Sequence, residues 1–561
     1  MVGSGSISRI APARARGRLR LLLPALIASL IVIAPIISLA MIALTGSMQD
    51  WPHLMANVLP GAVRTTALLL LLVALGTASI GVVTAWLVVT FEFPLRRTMS
   101  WAAILPFAVP PYLAAYAFAD FFHFAGPVQS AIRALFGFTR PGDYWFPDIR
   151  STWGAALVMT SVLYPYVYLT ARVVFIMQGR NMADAARTLG ASPWRIFFRV
   201  LVPVARPAMA VSVALVLMET LNDIGASEYL GVRTLTFSVY STWLNRGSLE
   251  GAAQIATLML LLVFALLLAE QWARRNQRFH AMRSSHVAAR PPRTRLAGWR
   301  GGFALTAVSL PVLAGFGIPA VFFLRYAIRR IEYLLDPALG SAFFNSVVTA
   351  SATALVTVTA AIAITYTVKI ARYRPAGVLA RIAGLGYALP GSILALGLLF
   401  VLARLDNGID AFSRETFGVS TGLIFSGTVA AVILACSIRF LTLAEGSIRA
   451  GLEKLPPHLH EAARSLGRTP FESARSVVLP LMGPALAVAA ILVFVDTIKE
   501  LSATILLRPF GFNTLATYVY ENASRGVVED GALAALIIIA TALVPVALLS
   551  RALMGDRDAQ L

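Results

Sequence analysis

Apolar segments long enough to cross a bilayer recur along this 561-residue chain, and nothing else in it constrains the fold as strongly. They lie near 21–44, 62–90, 99–124, 153–177, 205–225 and 252–272, then near 303–326, 342–368, 378–404, 421–444, 481–505 and 530–553. About 20 apolar residues span the hydrocarbon core as a helix. Only helices or closed barrels satisfy every backbone polar group in lipid. The expected fold class is therefore an all-α polytopic membrane protein of about 12 transmembrane helices. Composition agrees, at 58% hydrophobic and 13% charged, where a soluble domain carries about a quarter charged residues. The net charge of +20 sits in short stretches between apolar runs. That pattern orients a membrane protein and argues against nucleic acid as a partner. The single cysteine, Cys436, lies inside an apolar run, reads as a small buried hydrophobe and has no partner for an intrachain disulfide.

Arg9, Arg14, Arg16, Arg18 and Arg20 precede the first apolar run, and Ser38-Leu39-Ala40 offers a small-x-small cleavage site. The run is nevertheless long enough to span, and a matching run opens the second half at Phe303, so a retained helix is expected. Thr45–Gly61 contains no Lys or Arg, whereas Arg274–Arg300 carries eight arginines and no acid. The positive-inside rule then puts both termini and this basic stretch on the cytoplasmic side of the inner (plasma) membrane. Arg325, Arg329 and Arg330 fall on the predicted outer side, where Glu332 and Asp336 are expected to offset them in part. The stretch 274–300 also holds Ser284-Ser285 and Pro291-Pro292 and reads as a mobile linker.

The sequences on either side of the linker resemble each other. Thr66 to Trp86 aligns with Ser346 to Tyr366, and Pro110 with Pro390, each 280 residues apart. Glu219-Thr220 aligns with Asp496-Thr497, 277 apart. The expected domains are a first half, 1–273, the linker, and a second half, 301–561, each with about six helices. Six is even, so both halves share one orientation and form a parallel repeat about an axis along the membrane normal.

One motif occurs in both halves. Asp184-Ala185-Ala186-Arg187-Thr188-Leu189-Gly190 leads to Pro203, and Glu461-Ala462-Ala463-Arg464-Ser465-Leu466-Gly467 leads to Pro480. Acid, alanine pair, glycine and proline all recur at 277 residues. Each copy suits a short helix, a turn, a second amphipathic helix and re-entry into the membrane. The alanines favour helix and leave a narrow face that another protein can approach. Gly190 and Gly467 permit the left-handed conformation that ends a helix. Phe197, Phe198 and Phe471 can give the second helix an apolar face, and Pro203 and Pro480 begin or kink the next span. The acid near the helix start suits the helix dipole and can meet an arginine on a partner. Recurrence at equivalent places argues against two accidental interfacial loops.

These loops, 181–203 and 458–480, resemble the Glu-Ala-Ala loop of the permeases of binding-protein-dependent ABC importers. The resemblance implies coupling helices that dock on two ABC ATPase subunits at the cytoplasmic side, with a periplasmic substrate-binding protein at the other. Glu461 matches the family glutamate and Asp184 departs from it, so the two contacts are expected to differ. No G-x-x-x-x-G-K-[ST] motif occurs, which implies that ATP is bound by partner subunits, with no cofactor in this chain and no enzymatic activity of its own. Two such halves in one chain, Leu163-Tyr164-Pro165-Tyr166-Val167-Tyr168-Leu169, and Glu219 to Ala226 followed by Tyr229 and Thr236, resemble the iron(III) permeases, with thiamine and polyamine permeases as related alternatives.

Glu219 and Asp223 lie four residues apart in the fifth span, as do Asp496 and Glu500 in the eleventh. Acids within the membrane are costly and read as parts of a pathway, gate or pairing. At helical spacing each pair shares a face, and a negative lining suits a cation such as Fe³⁺. Pairing with Lys499, Arg233 or Arg508 near the outer surface is the structural alternative. Asp120 and His123 are weaker candidates, and His, Cys and carboxylates are too scattered for a stable metal site. A proton-coupled secondary transporter also has twelve helices in parallel halves. The stretch Phe91 to Arg97 lacks the glycines of the basic signature such proteins carry there.

Overall fold

In a computed structural model, residues 12–275, 293–371, 374–456 and 458–554 are described. Most of the basic linker lies outside them. The described chain is helical almost throughout. Among the described residues, ten helices are long and apolar enough to span: Leu22–Thr45, Trp51–Thr90, Thr152–Met177, Pro193–Asn222, Leu249–Ala269, Trp299–Arg329, Pro337–Lys369, Gly391–Phe417, Val429–Lys454 and Val528–Leu548. Two bent pairs bring the total to twelve where each pair counts as one broken span. In one, Arg96–Ala108 meets Pro111–Phe121 at 98°; in the other, Ala474–Leu481 meets Gly483–Ile498 at 69°.

The third span is thus not the single helix that continuous apolarity predicts. Val109 turns extended before Pro110, as residues preceding proline tend to, and a new helix starts at Pro111. The second half repeats the turn at Leu389 before Pro390.

Contacts divide the chain into two compact units that differ from the sequence halves. One comprises residues 1–39, 346–498 and 506–510; the other comprises 40–345, 499–505 and 511–561. In the first, the helix Pro12–Thr45 lends its part up to Leu39 to helices of the second half. Ser29 Oγ donates to Leu379 O at 2.7 Å, and a Cβ on Gly397 would lie 2.5 Å from Pro35 O. In the other unit, the helix Trp299–Val312 and its continuation pack on first-half helices. There a Cβ on Gly315 would lie 2.0 Å from Ser161 O, so only glycine permits the crossing. The opening helix of each half is in this way built into helices of the other half.

The end of the linker is ordered by a short parallel pairing, Phe91 with Thr294 and Glu92 with Arg295. Leu296 N–H donates to Glu92 O at 2.9 Å. The Glu92 carboxylate reaches buried Arg96 at 3.0 Å and Arg293 at 3.6 Å. On the predicted outer side Arg330 lies near Glu332, Glu529 and Asp530, at 3.5 to 3.8 Å. Asp336, expected to offset these arginines, accepts a hydrogen bond from Tyr518 Oη at 3.0 Å.

Candidate functional site

Each copy of the repeated motif folds as a short helix closed by a left-handed glycine. The first helix is Arg180–Thr188 and the second His458–Ser465. Gly190 has φ +80° and Gly467 φ +83°. Past each glycine a six-residue ring closes, Ala191 N–H to Ala186 O at 3.0 Å and Arg468 N–H to Ala463 O at 3.2 Å. These bonds satisfy carbonyls that the helix end leaves open. Among the described residues, nothing stands within 4 Å of a Cβ built on either glycine. Leu189 and Leu466, just before them, are 87% and 83% exposed. Ala185 and Ala462 are exposed, Ala186 is half-buried and Ala463 buried. The side chains of Asp184, Glu461 and Phe471 lie outside those described.

The two loops diverge after the glycine. In the first, Phe197 is buried against Trp86, ring centroids 4.5 Å apart, while Trp194 and Phe198 are exposed and stack on each other at 6.1 Å. In the second, Ala474 and Arg475 replace the two phenylalanines. A capping pair holds the turn instead: Thr469 N–H donates to Glu472 Oε2 at 2.8 Å, and Glu472 N–H to Thr469 Oγ1 at 3.2 Å. The Thr469 N–H keeps the Glu472 carboxyl below its ordinary range. The first copy has Arg195 at that position and no side-chain cap at Ser192. Pro203 enters the first turn of Val202–Asn222 without breaking it. Pro480 sits in Leu479–Leu481, immediately before the 69° bend.

The intramembrane acids belong to a second feature. Each helix stops before the second acid of its pair, at Asn222 and at Ile498. Asp223 is extended and Glu500 lies outside any helix, so neither shares a helix face with the half-buried Glu219 or Asp496. Their carboxylates turn back onto backbone. Asp223 Oδ1 accepts Ala226 N–H at 2.7 Å. Glu500 accepts Ala503 N–H at 2.9 Å, Thr504 N–H at 3.0 Å and Thr504 Oγ1–H at 2.7 Å. In lipid, broken backbone must find such partners, and a carboxylate at the start of a helix also meets its positive end. Asp223 is 8% exposed and Glu500 5%.

The two breaks touch. Ser502 Oγ donates to Asn222 O at 2.6 Å. A Cβ on Gly225 would lie 2.8 Å from Tyr112 Cβ and 2.9 Å from Leu501 Cδ2. Lys499 Nζ lies 5.1 Å from the centroid of the Phe107 ring. Beyond the breaks, Tyr520 Oη donates to Glu228 Oε2 at 2.5 Å and lies 3.2 Å from Tyr240 Oη.

Asp120 accepts from Tyr326 Oη at 3.4 Å, and His123 Nδ1 lies 3.2 Å from Ala125 N. Among the described residues, no three His, Cys, Asp or Glu side chains are grouped to hold a metal. Among the buried polar residues that the sequence reading passed over are Arg439, Asp406 and Tyr112. Arg439 lies inside Val429–Lys454. Asp406 accepts the Phe425 and Ser426 N–H groups at 3.1 and 2.7 Å. Tyr112 starts the helix after the third-span bend. A charge inside an apolar run flags Arg439; Asp406 lies just past the run 378–404, and only packing reveals it and Tyr112.

A family model for the binding-protein-dependent transport system inner membrane component matches residues 77–275 and again 371–556. The chain is 25% identical over 493 residues to the Fe(3+)-transport system permease protein FbpB 2 of Haemophilus influenzae, covering 87% of this chain and 88% of that protein. It is 32% identical over 216 residues to the probable sulfate transport system permease protein cysT of Nephroselmis olivacea, covering 37% of this chain and 72% of that protein. It is 27% identical over 210 residues to the molybdenum transport system permease protein ModB of Escherichia coli K12, covering 36% of this chain and 88% of that protein. Two family matches in tandem, on a scaffold of ten to twelve spanning helices, define a fused permease, and the chain belongs to the inner membrane components of binding-protein-dependent transport systems.

Proposed function

We propose that this chain forms the translocation pathway of an ABC importer for ferric iron. The observation that carries the cargo reading is the extent of the match to the Fe(3+) permease, which spans both halves, whereas the sulfate and molybdenum permeases match little more than a third of the chain. The carboxylates at both helix breaks suit a cation. A periplasmic binding protein delivers the ion, and both chain termini face the cytoplasm. The loops 181–203 and 458–480 dock on two separate ATPase subunits, with Asp184, Ala185, Ala186 and Gly190 at one contact and Glu461, Ala462, Ala463 and Gly467 at the other. The wide-open surroundings of both glycines and the exposed leucines beside them support that role. ATP-driven approach of the ATPases moves the loops and with them the helices that follow Pro203 and Pro480, an element-level transition between two packings. Glu219, Asp223, Asp496 and Glu500 serve the pathway or its gate.

An oxyanion cargo is the second reading, favoured by the sulfate and molybdenum relatives and by the buried cation Arg439. Uptake by proteoliposomes holding the permease, its ATPase and its binding protein decides between them. Ferric iron accumulates on the first reading, and sulfate or molybdate accumulation in its place refutes it.

A further inference from the structure

Tyr112 stands in the first turn of Pro111–Phe121, just past the 98° bend of the third span. It is 2% exposed, and among the described residues its hydroxyl has no hydrogen-bond partner. A buried hydroxyl without a partner destabilises a fold relative to phenylalanine. The hydroxyl is thus available to a ligand. The segment carrying Tyr112 and the two helix breaks bearing Asp223 and Glu500 converge at Gly225, which has no room for a Cβ between Tyr112 and Leu501, and Ser502 Oγ of one break donates to Asn222 O of the other. Phenol and carboxylates present oxygen alone.

Resting on the ferric reading above, we infer that Tyr112, Asp223 and Glu500 form an oxygen-only site that a hard cation occupies in transit. A small, highly charged cation takes oxygen donors in preference to nitrogen or sulfur. The site is built to hold it weakly. Both carboxylates already accept backbone N–H groups, so an arriving cation competes with the caps of the broken helices. Two carboxylates and one phenol are also fewer ligands than a resident metal takes. Conduction requires this balance, favourable enough to enter and weak enough to leave. The competition has a mechanical consequence as well: a cation that draws the carboxylates from Ala226 and Ala503 loosens the two breaks where they meet.

The test uses proteoliposomes holding the full chain, its ATPase and the ferric-loaded binding protein, and reads iron accumulated per ATP hydrolysed. That ratio cancels differences in the amount of folded protein. Tyr112→Phe keeps the ring and removes only the hydroxyl. Asp223→Asn and Glu500→Gln keep an oxygen to accept the capping N–H groups and remove the charge. Each is expected to lower the ratio roughly tenfold, the effect of one lost contact of about 1.4 kcal/mol. A wild-type ratio in Tyr112→Phe overturns the site while leaving the ferric reading intact. Failure of the wild-type protein itself to accumulate iron overturns the ferric reading, and the site with it.

Discussion

Replacing Gly467 by alanine and, separately, by asparagine distinguishes backbone conformation from surface contact in the second loop. Gly467 has φ +83° and open space around its missing Cβ, so neither side chain meets a steric obstacle. The cost is conformational. Alanine in the left-handed region costs roughly 1–2 kcal/mol, whereas asparagine enters it more readily. At about 1.4 kcal/mol per factor of ten, alanine reduces the population of the closed turn roughly 5- to 30-fold. Proline, confined to negative φ, abolishes it. Cargo uptake at fixed ATPase concentration should therefore rank glycine, asparagine, alanine, proline, with Gly190 giving the same order. Were bulk at a docking surface the cause, asparagine would be worse than alanine. That reversed order, at either glycine, refutes the turn argument.

Gly225→Ala should cost about 1–3 kcal/mol through overpacking against Tyr112 and Leu501; an unchanged melting temperature in detergent would show that the breaks are not close-packed. Acid should weaken the second loop selectively. The Glu472 carboxyl is lowered in the folded protein from its ordinary 4.5, so its stabilisation is complete above about pH 4.5 and disappears as pH falls through the lowered value. Hydrogen-exchange protection at Thr469 N–H, taken against the intrinsic rate at each pH, should fall over that range and stay flat in Glu472→Gln; protection unchanged by acid in the wild type would contradict the cap. Glu92→Ala removes the partner of Arg96 and Arg293 and should cost roughly 1 kcal/mol, a figure reduced for the half-exposed carboxylate. Limited proteolysis around residues 293–296 should quicken, and unchanged cleavage would argue against the clip.

The spanning helices were legible because lipid leaves the backbone few choices: a long apolar run must be helical. Gly190 and Gly467 were legible too, since a glycine after an acid-Ala-Ala helix has a specific backbone use. Averaging apolarity over a span hid what single residues do. Pro110 was visible, yet the run 99–124 read as one helix until Val109 proved extended. Likewise Asn222-Asp223 followed by Gly225 is turn chemistry, but apolar neighbours and the four-residue spacing of the acids favoured a continuous helix. The exchange of opening helices between halves, and the convergence on Gly225 of segments hundreds of residues apart, depend on packing that no local pattern encodes. The unpartnered Tyr112 hydroxyl arises from that packing and was invisible for the same reason.

If each repeated loop docks one ATPase subunit, as proposed, one chain binds two, and native mass spectrometry of the complex purified from membranes measures that stoichiometry. One permease chain with two ATPase subunits is the predicted mass, with Gly190→Pro or Gly467→Pro each shifting the population to one ATPase per chain. A permease with one ATPase in the wild type, or two in both variants, would contradict the claim that each repeated loop is a docking site.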